Sequence, residues 1–357
     1  MNNQEPVLDE RTSIIRLHLA TYSQPGLGLK LIHQVGSANA VVRAPGELKG
    51  VPPALMPALK VARNTPLPTF TGHQQHIVTI VDDAYPHMLK EIADPPLALF
   101  CRGNVALLGR KQIAIVGSRK PSQQGEKTAQ RFAEQLSCLG VVITSGLAYG
   151  IDVAAHRGAL AGTGETIAVL GCSANRVYPA AHERVARHII ERGLVVSEFP
   201  PGARLYPSNF PQRNRIVTGL ASGTLTIEAA MKSGSLISAR LATEQGREVF
   251  AIPGSIYNAN SRGCHHLIDQ GAKLTLDVND ILSELGWEVQ AVPAAADAPA
   301  NPILALIDDR GVTIDSLVQH TGLSVPELQR LLLELEVQGQ VVSGTFGYIN
   351  VTATRGD

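Results

Sequence analysis

The chain has 357 residues, of which 44% are hydrophobic and 17% charged, so it can form a substantial core and is not a disordered chain. Its 31 basic and 31 acidic side chains balance, which excludes a globally basic nucleic-acid coat, so any anion site must be local. The 4 cysteines include no C-x-x-C pair, which argues against a structural zinc site or a disulfide framework and favours a reducing compartment.

Composition divides the chain into three expected domains. We expect an N-terminal helical domain in residues 1–70, a core in 71–290, an Ala/Pro-rich linker in 291–302 and a small domain in 303–357. The formal charge is +3 for residues 1–70, +2 for the core and −5 for the remainder. The polar start of the chain and the lack of a long apolar run predict a cytoplasmic protein with no membrane contact.

The N-terminal segment has helical patterns over residues 11–64, interrupted by a turn at Pro25-Gly26-Leu27-Gly28. A Gly-x-Gly turn between short helices is similar to half of a helix-hairpin-helix or SAM-like unit. Such a turn either packs the helices together or offers backbone N–H groups to DNA phosphates, and the sequence leaves both interpretations open.

The core alternates short β-branched runs with helical patterns, which predicts a Rossmann-like, doubly wound parallel α/β sheet. The predicted strands are residues 77–81, 113–116, 141–144, 166–170, 194–197, 224–227 and 248–252. The predicted helices are residues 126–139, 151–161, 181–192, 213–220 and 236–245. Ligands of such sheets bind beyond the carboxyl ends of the strands, so the loops at those ends are the candidate site.

The C-terminal segment shows the pattern of a winged helix. Helices are predicted at residues 302–308, 314–320 and 325–338, followed by strands at 340–343 and 348–351. The last helix carries Glu327, Glu334 and Glu336 against one Arg330, and acidic side chains repel phosphate. The pattern therefore favours a module that contacts protein, or a regulatory module that folds back over a basic pocket and inhibits binding. A DNA-reading domain is the alternative.

Two glycine-containing turns follow predicted strands. Gly117-Ser118-Arg119 combines a tight turn, a hydroxyl and a planar bidentate donor, which suits phosphate, although a solvated arginine in an ordinary turn is the alternative. Gly146 begins a second glycine-rich stretch that permits close approach of an anion to the backbone. Asp152 and His156 share a helix face there, either as an acid–base pair or, as the pattern favours, as neighbours at a helix start.

Two further groups suit anions. The block Phe210-Pro211-Gln212-Arg213-Asn214-Arg215 places two arginines near a predicted helix start, and Phe210 can stack on a base. Alternatively, Phe210 is core and the arginines pair with Glu198 or Glu228. Lys232-Ser233-Gly234-Ser235 precedes a helix, where Ser235 and its neighbours either cap the helix or bind an anion. No P-loop, G-x-S-x-G or H-E-x-x-H pattern is present, and we expect neither metal nor cofactor.

Nine ordered blocks carry a family resemblance. They are IAIVGSRKPS at 113–122, SGLAYGID and AH within 145–156, TIAVLG at 166–171, YP at 178–179, SEFPPG at 197–202, FPQRNRIV at 210–217, EAAMKSGSLISA at 228–239, GREVFAIPG at 246–254 and G...LI..GA at 263–272. With these blocks the chain resembles the DNA processing protein A family (DprA, also called Smf) over roughly residues 70–285.

The resemblance implies an N-terminal helical domain, a Rossmann-like core and a winged helix. It also implies a dimeric, non-enzymatic protein that binds and protects single-stranded DNA and helps load the RecA recombinase in natural transformation. The DNA-binding residues it implies are Gly117, Ser118, Arg119, Phe210, Arg213, Asn214 and Arg215, and we add Gly146, Lys232 and Ser235 as further candidates. Ser173 and Asn175 depart from the family's glycine and aspartate, so a family role for that loop is in doubt.

An enzymatic alternative comes from Rossmann-like nucleotide N-glycoside hydrolases. These enzymes pair phosphate-binding glycines with an arginine and a glutamate. Glu228 follows a predicted strand and is the candidate acid, with Asp152 as a second. Release of free base from nucleoside monophosphates would distinguish this activity from binding alone.

Overall fold

The computed structural model describes residues 9–70, 72, 74–288, 303–307, 311–337, 341–344 and 347–350. The chain separates into two compact units, Met1–Pro293 and Ala294–Asp357, so the helices before residue 70 belong to the same unit as the core. The linker expected at residues 291–302 lies outside the described residues. In the described part of the chain, no helix is both long and apolar enough to cross a membrane.

The chain begins with four helices, α1 (Glu10–Thr21), α2 (Leu27–Val35), α3 (Ala38–Arg43) and α4 (Met56–Ala62). Asp9 caps α1, because its carboxylate accepts the N–H of Thr12 at 2.8 Å. Leu17 and Leu31 belong to one hydrophobic core with Leu99 of the sheet. A Cβ on Gly28 would lie 2.5 Å from Leu97 Cδ1, so this glycine of the Gly-x-Gly turn packs against Leu97, the residue just before β2.

One nine-stranded sheet forms the centre of the first unit. Its strands are β1 (Gln75–Thr79), β2 (Ala98–Gly103), β3 (Gln112–Gly117), β4 (Val142–Ser145), β5 (Thr166–Leu170), β6 (Leu194–Ser197), β7 (Gly223–Ile227), β8 (Glu248–Ala251) and β9 (Lys273–Leu274). Their order is β1-β2-β6-β5-β4-β3-β7-β8-β9. In this spatial order, all strands from β6 through β3 to β9 run parallel to one another, which confirms the predicted parallel sheet. β1 and β2 add an antiparallel edge.

Helices cover both faces of the sheet. They are α5 (His87–Lys90), α6 (Gln123–Cys138), α7 (Ile151–Ala161), α8 (Glu183–Arg192), α9 (Asn209–Leu220), α10 (Gly234–Glu244), α11 (Arg262–Asp269) and α12 (Val278–Glu284). Alternate residues of β3 pack into different hydrophobic cores, Ala114 and Val116 on one face of the sheet and Ile113 and Ile115 on the other. The sequence of a strand that is buried on both faces is a nearly continuous apolar run, as expected for a doubly wound sheet.

The observed elements correct parts of the prediction. Residues 166–170 and 194–197 are strands and residues 151–161 are a helix, as predicted, but the predicted strand at 77–81 begins and ends two residues earlier. The helix predicted at 213–220 already begins at Asn209. β2 was not predicted, because its sequence ALFCRG lacks β-branched residues even though five of its six residues are buried.

The second unit has the winged-helix order predicted. It contains α13 (Ile314–Thr321), α14 (Val325–Val337) and a hairpin of β10 (Val341–Gly344) and β11 (Gly347–Asn350). Leu317, Leu328 and Leu332 form its core. Within the first predicted helix, the described residues 303–307 contain a 3-10 turn at Leu304–Leu306. The side chain of Glu334 lies outside the described residues.

Candidate functional site

The sheet reverses its winding direction between β3 and β7. The chain proceeds from β3 outward through β4, β5 and β6, then returns to β7 on the other side of β3. At such a switch point the loops beyond the carboxyl ends of the strands diverge and leave a crevice for ligands. A cleft of about 510 Å³ lies there, between the loops after β3, β4 and β7 and the helices α9 and α10.

Eight of the ten candidate residues line this one cleft. They are Gly117, Ser118, Arg119, Gly146, Arg213, Asn214, Lys232 and Ser235. The lining carries four cationic side chains, from Arg119, Lys120, Arg213 and Lys232, against the single carboxylate of Asp152. A local positive potential thus exists in a chain whose net charge is zero, and it suits an anionic ligand.

The turn after β3 is fixed from both sides. A Cβ on Gly117 would lie 1.9 Å from the carbonyl oxygen of Ile227, so only glycine permits β3 and β7 to run this close together. Ser118 donates its N–H to the Glu228 carbonyl at 2.7 Å, and its own carbonyl accepts the N–H of Ile151 at 3.1 Å. The side chain of Arg119 is exposed at this rigid turn and is free to meet a phosphate.

Glu228 holds the same turn with its side chain. Its carboxylate accepts the N–H of Ser122 at 2.8 Å and also a short hydrogen bond from the Ser122 hydroxyl. That hydroxyl in turn caps α6 by accepting the N–H of Gly125 at 3.0 Å. Glu228 adopts this position with a left-handed backbone, φ 50°, which is unusual for a residue with a side chain. Sequence reasoning considered Glu228 as a catalytic acid and missed this structural role.

Arg213 forms the floor of the cleft. Its side chain is almost fully buried, and Nη1 donates to the Val169 carbonyl at 2.9 Å. Its Nε has no hydrogen-bond partner among the residues that the structure describes. Burial lowers the pKa of Arg213, while the nearby Asp152 carboxylate raises it. A guanidinium on the floor of a cationic cleft is well suited to bind a phosphate oxygen.

Asp152 and His156 do not form an acid–base pair. The Asp152 carboxylate accepts the N–H of Ala148 at 3.3 Å, at the start of α7, and burial raises its pKa although Arg213 lowers it. His156 is fully buried, and its Nδ1 lies 2.8 Å from the Thr166 hydroxyl. Burial lowers the pKa of His156 to about 3. The helix-start interpretation therefore fits the geometry of both residues.

The start of α10 completes the cleft. Ser233 is the N-cap residue, because its hydroxyl accepts the N–H of Ser235 at 3.3 Å and lies 2.7 Å from the Ser235 hydroxyl. The capping interpretation is thus correct for Ser233, and both serines also line the cleft. Lys232 is exposed immediately before the cap, so this helix start presents a positive charge as well as the dipole of α10.

Arg215 and Phe210 do not line the cleft. Arg215 is buried against the carboxylate of Glu198, with Asp94 3.2 Å from its Nε, as the structural alternative for this arginine predicted. Residues 213 and 215 are two apart on α9 and point about 200° apart, so only one of them can face the cleft. Phe210 is partly buried and packs against Gly171 and Tyr178.

The divergent loop after β5 needs no glycine at Ser173. The described residues other than glycine with a positive φ are Gln74, Leu147 and Glu228. Ser173 instead accepts the N–H of Asn175 through its hydroxyl at 3.3 Å, and the Cys172 thiol donates to the Arg176 carbonyl at 3.0 Å. The loop is therefore held by short-range hydrogen bonds that serine and cysteine supply.

Comparison with known proteins places the chain among DNA-processing proteins. Residues 76–286 match DNA recombination-mediator protein A, and residues 288–345 match the DprA winged helix domain. Protein Smf of Escherichia coli (strain K12) is 42% identical over 292 residues, which cover 77% of each chain. The X-ray structure of DNA processing protein A from Streptococcus pneumoniae matches with a TM-score of 0.68 and 37% identity, over 78% of this chain and 99% of that one.

A second solved structure matches a smaller part of this chain. DNA processing protein A of Helicobacter pylori matches with a TM-score of 0.54 and 30% identity, over 59% of this chain and 95% of that one. That work concerns its single-stranded DNA binding mode.

Proposed function

Because this chain belongs to the family of DNA recombination-mediator protein A, we propose that it is a single-stranded DNA-binding protein. The cleft between β3 and β7 is the proposed site, with Arg119, Arg213 and Lys232 binding phosphates and Gly117 and Gly146 permitting close approach of the backbone. Ser118, Asn214 and Ser235 add hydrogen-bonding groups to the same cleft. Arg215 is assigned to its ion pair with Glu198 rather than to DNA.

One observation carries this proposal, namely that four cationic side chains, from Arg119, Lys120, Arg213 and Lys232, line one cleft whose only carboxylate among the described residues is that of Asp152. Arg213 shares its surroundings with Arg119 and has the Asp152 carboxylate as a counter-charge. An anion is the ligand that would relieve this local excess of positive charge.

The cellular role we propose is protection of incoming single-stranded DNA and help in loading the RecA recombinase during natural transformation. Support comes from the relatives, which include proteins named for DNA processing in Streptococcus pneumoniae and Bacillus subtilis. We place this activity in the cytoplasm, where a recombinase and incoming DNA meet. A pull-down of recombinase by the DNA-loaded protein, compared with the DNA-free protein, tests the partnership.

We further propose that the protein acts as a homodimer. The strand β9 supports this, because it is the last in the order of the described strands and its Leu274 and the following Leu276 are 43% and 69% exposed. Exposed edges of this kind invite pairing with another chain. Light scattering after size exclusion gives the oligomeric state, and Leu276→Lys should produce monomers if this edge is used.

A binding role without enzymatic chemistry is the proposal that the cleft supports best. The glutamate that a hydrolase would use is Glu228, and both of its carboxylate oxygens are engaged by Ser122. Asp152, the second candidate acid, has its carboxylate directed to the backbone of the α7 start. Incubation with nucleoside monophosphates should therefore release no free base above a blank.

Fluorescence anisotropy with labelled oligo-dT and with a duplex tests the binding proposal. Wild type should bind the single strand, and Arg119→Ala should weaken binding about 10-fold or more, the size expected for one charge-assisted contact. Arg131→Ala is the control, because Arg131 is an exposed arginine of α6 that does not line the cleft. Equal losses in both variants, or none in Arg119→Ala, would overturn the site assignment.

A further inference from the structure

Three aromatic side chains lie on segments that border the phosphate cleft, without lining it themselves. They are Tyr149, Tyr178 and Phe210, which we call the aromatic rim. Tyr149 follows Ala148, a residue of the cleft wall, in the loop after β4. Tyr178 lies in the segment after β5, and its ring centroid is 5.5 Å from that of Phe210.

The position of the rim follows from α9 and the strand order. Phe210 and Arg213 are three residues apart on α9 and thus share one face of that helix. Arg213 reaches the carbonyl of Val169 in β5, and Phe210 lies against Gly171 just after the same strand. The rim therefore begins next to the guanidinium on the cleft floor and continues along the carboxyl edge of β4 and β5.

The two tyrosine rings are exposed, and neighbouring residues hold the rings in place. Tyr149 and Tyr178 are 51% and 45% exposed, so neither serves mainly to fill a core. Tyr149 packs edge-on against the His182 ring at 4.9 Å, and His182 Nδ1 lies 2.9 Å from the Leu147 carbonyl. Phe210 has its place only because Gly171 lacks a Cβ, which would lie 2.8 Å from the ring. Rings fixed before binding lose little conformational freedom when a ligand stacks on them.

We propose that the aromatic rim is the base-binding part of the site and that Tyr149 and Tyr178 give it selectivity for single-stranded over duplex DNA. The inference rests on the proposed function, since the cleft must first hold the phosphates. A strand whose phosphates lie over Arg213 can place its unpaired bases on the adjacent tyrosine rings. Bases in a duplex are already stacked and paired, so they cannot reach the rings without melting.

Binding of three labelled oligomers tests the proposal. They are oligo-dT, an abasic oligomer of the same length, and a duplex. In the full chain, Tyr149→Ala with Tyr178→Ala should weaken oligo-dT binding about 10- to 100-fold, as expected when stacking on two rings is lost. Binding of the abasic oligomer and of the duplex should not change, because both ligands contact the cleft through phosphates alone. The preference for single strands should fall accordingly.

Ring-retaining variants provide the matched control. Tyr149→Phe with Tyr178→Phe keeps the stacking surfaces and should bind oligo-dT like the wild type. The salt dependence of binding should be the same in the alanine and phenylalanine variants, since neither removes a charge. A loss in the alanine variant that is equal for oligo-dT and the abasic oligomer would overturn the proposal, because it would show a structural role for the rings.

The result also separates this inference from the proposed function. If the wild type binds oligo-dT and Arg119→Ala weakens it while the alanine rim variant does not, the cleft assignment stands and the rim assignment is wrong. If the wild type binds neither oligo-dT nor the abasic oligomer, the proposed function fails and the rim assignment fails with it.

Discussion

The guanidinium of Arg213 occupies the space that a side chain at position 146 would need. A Cβ built on Gly146 would lie 1.5 Å from Arg213 Nη1. Residue 146 directly follows β4 and residue 213 lies on α9, so this contact joins two glycine- and arginine-containing motifs that are far apart in sequence. It explains why a glycine stands at a position whose backbone itself needs no left-handed conformation.

Gly146→Ala should therefore expel Arg213 from the floor of the cleft. We expect affinity for oligo-dT to fall about 10- to 100-fold, since a hydrogen bond to a charged group contributes ~1.5–3 kcal/mol. Gly234→Ala is the matched control, because Gly234 lines the same cleft but a Cβ there meets nothing within 4 Å. Anisotropy titrations of both variants should separate them, and equal affinities would contradict the packing argument.

Arg215→Met should affect stability rather than binding. The substitution leaves Glu198 buried without its cation, and removal of one partner of a buried pair costs ~3–5 kcal/mol. Urea denaturation should show that loss, whereas the folded fraction should bind oligo-dT with wild-type affinity. Unchanged stability together with lost binding would instead make Arg215 a DNA ligand.

The two arginines show what the sequence could and could not predict. The motif around residues 210–215 lies on a helix that lines the cleft, and the predicted family is confirmed. Helical geometry at a spacing of two residues could have shown that Arg213 and Arg215 face apart. Which of them faces the cleft depended on the distant Glu198 and Asp94, and no local pattern contains those contacts.

The fold was predictable where local pattern and burial agree. β5 and α7 were predicted with their observed bounds, because β-branched runs and helical periodicity are strong there. β2 and the two-residue β9 were missed, since their pairing with β6 and β8 is a tertiary effect without a local signal. The role of Glu228 was missed for the same reason, as its partner Ser122 lies 106 residues away.

Glu228→Ala should loosen the turn that carries Arg119. It removes the acceptor for the N–H and hydroxyl of the partly buried Ser122, and the upper limit for leaving such a group unsatisfied is ~1–3 kcal/mol. We expect lower unfolding free energy and several-fold weaker binding of oligo-dT, with Glu228→Gln affected less because it retains one acceptor oxygen. Wild-type behaviour of Glu228→Ala in both measurements would show that the turn does not depend on this carboxylate.

Acid should destabilise the fold through His156. Burial lowers the pKa of His156 to about 3, below the value of ~6.5 for an unfolded histidine, so folding favours the neutral ring. The contribution of the neutral His156 ring to folding stability is complete above pH ~6.5 and is lost as the pH falls toward 3. Burial also lowers the pKa of His18, which acts in the same direction. Urea denaturation at several pH values in this range should show that the free energy of unfolding falls less steeply with decreasing pH in His156→Gln than in wild type. An equal pH dependence in the two proteins would contradict the assignment.

The salt dependence of oligo-dT binding tests the central claim most directly. For single strands, log K falls with log salt concentration by about 0.7 for each phosphate that the protein neutralises. Arg119→Ala with Lys232→Ala removes two exposed cationic side chains from the cleft, so the slope should become shallower by about 1.4 relative to wild type. A slope that is unchanged in the double variant would contradict the account, because the phosphates would then be bound elsewhere.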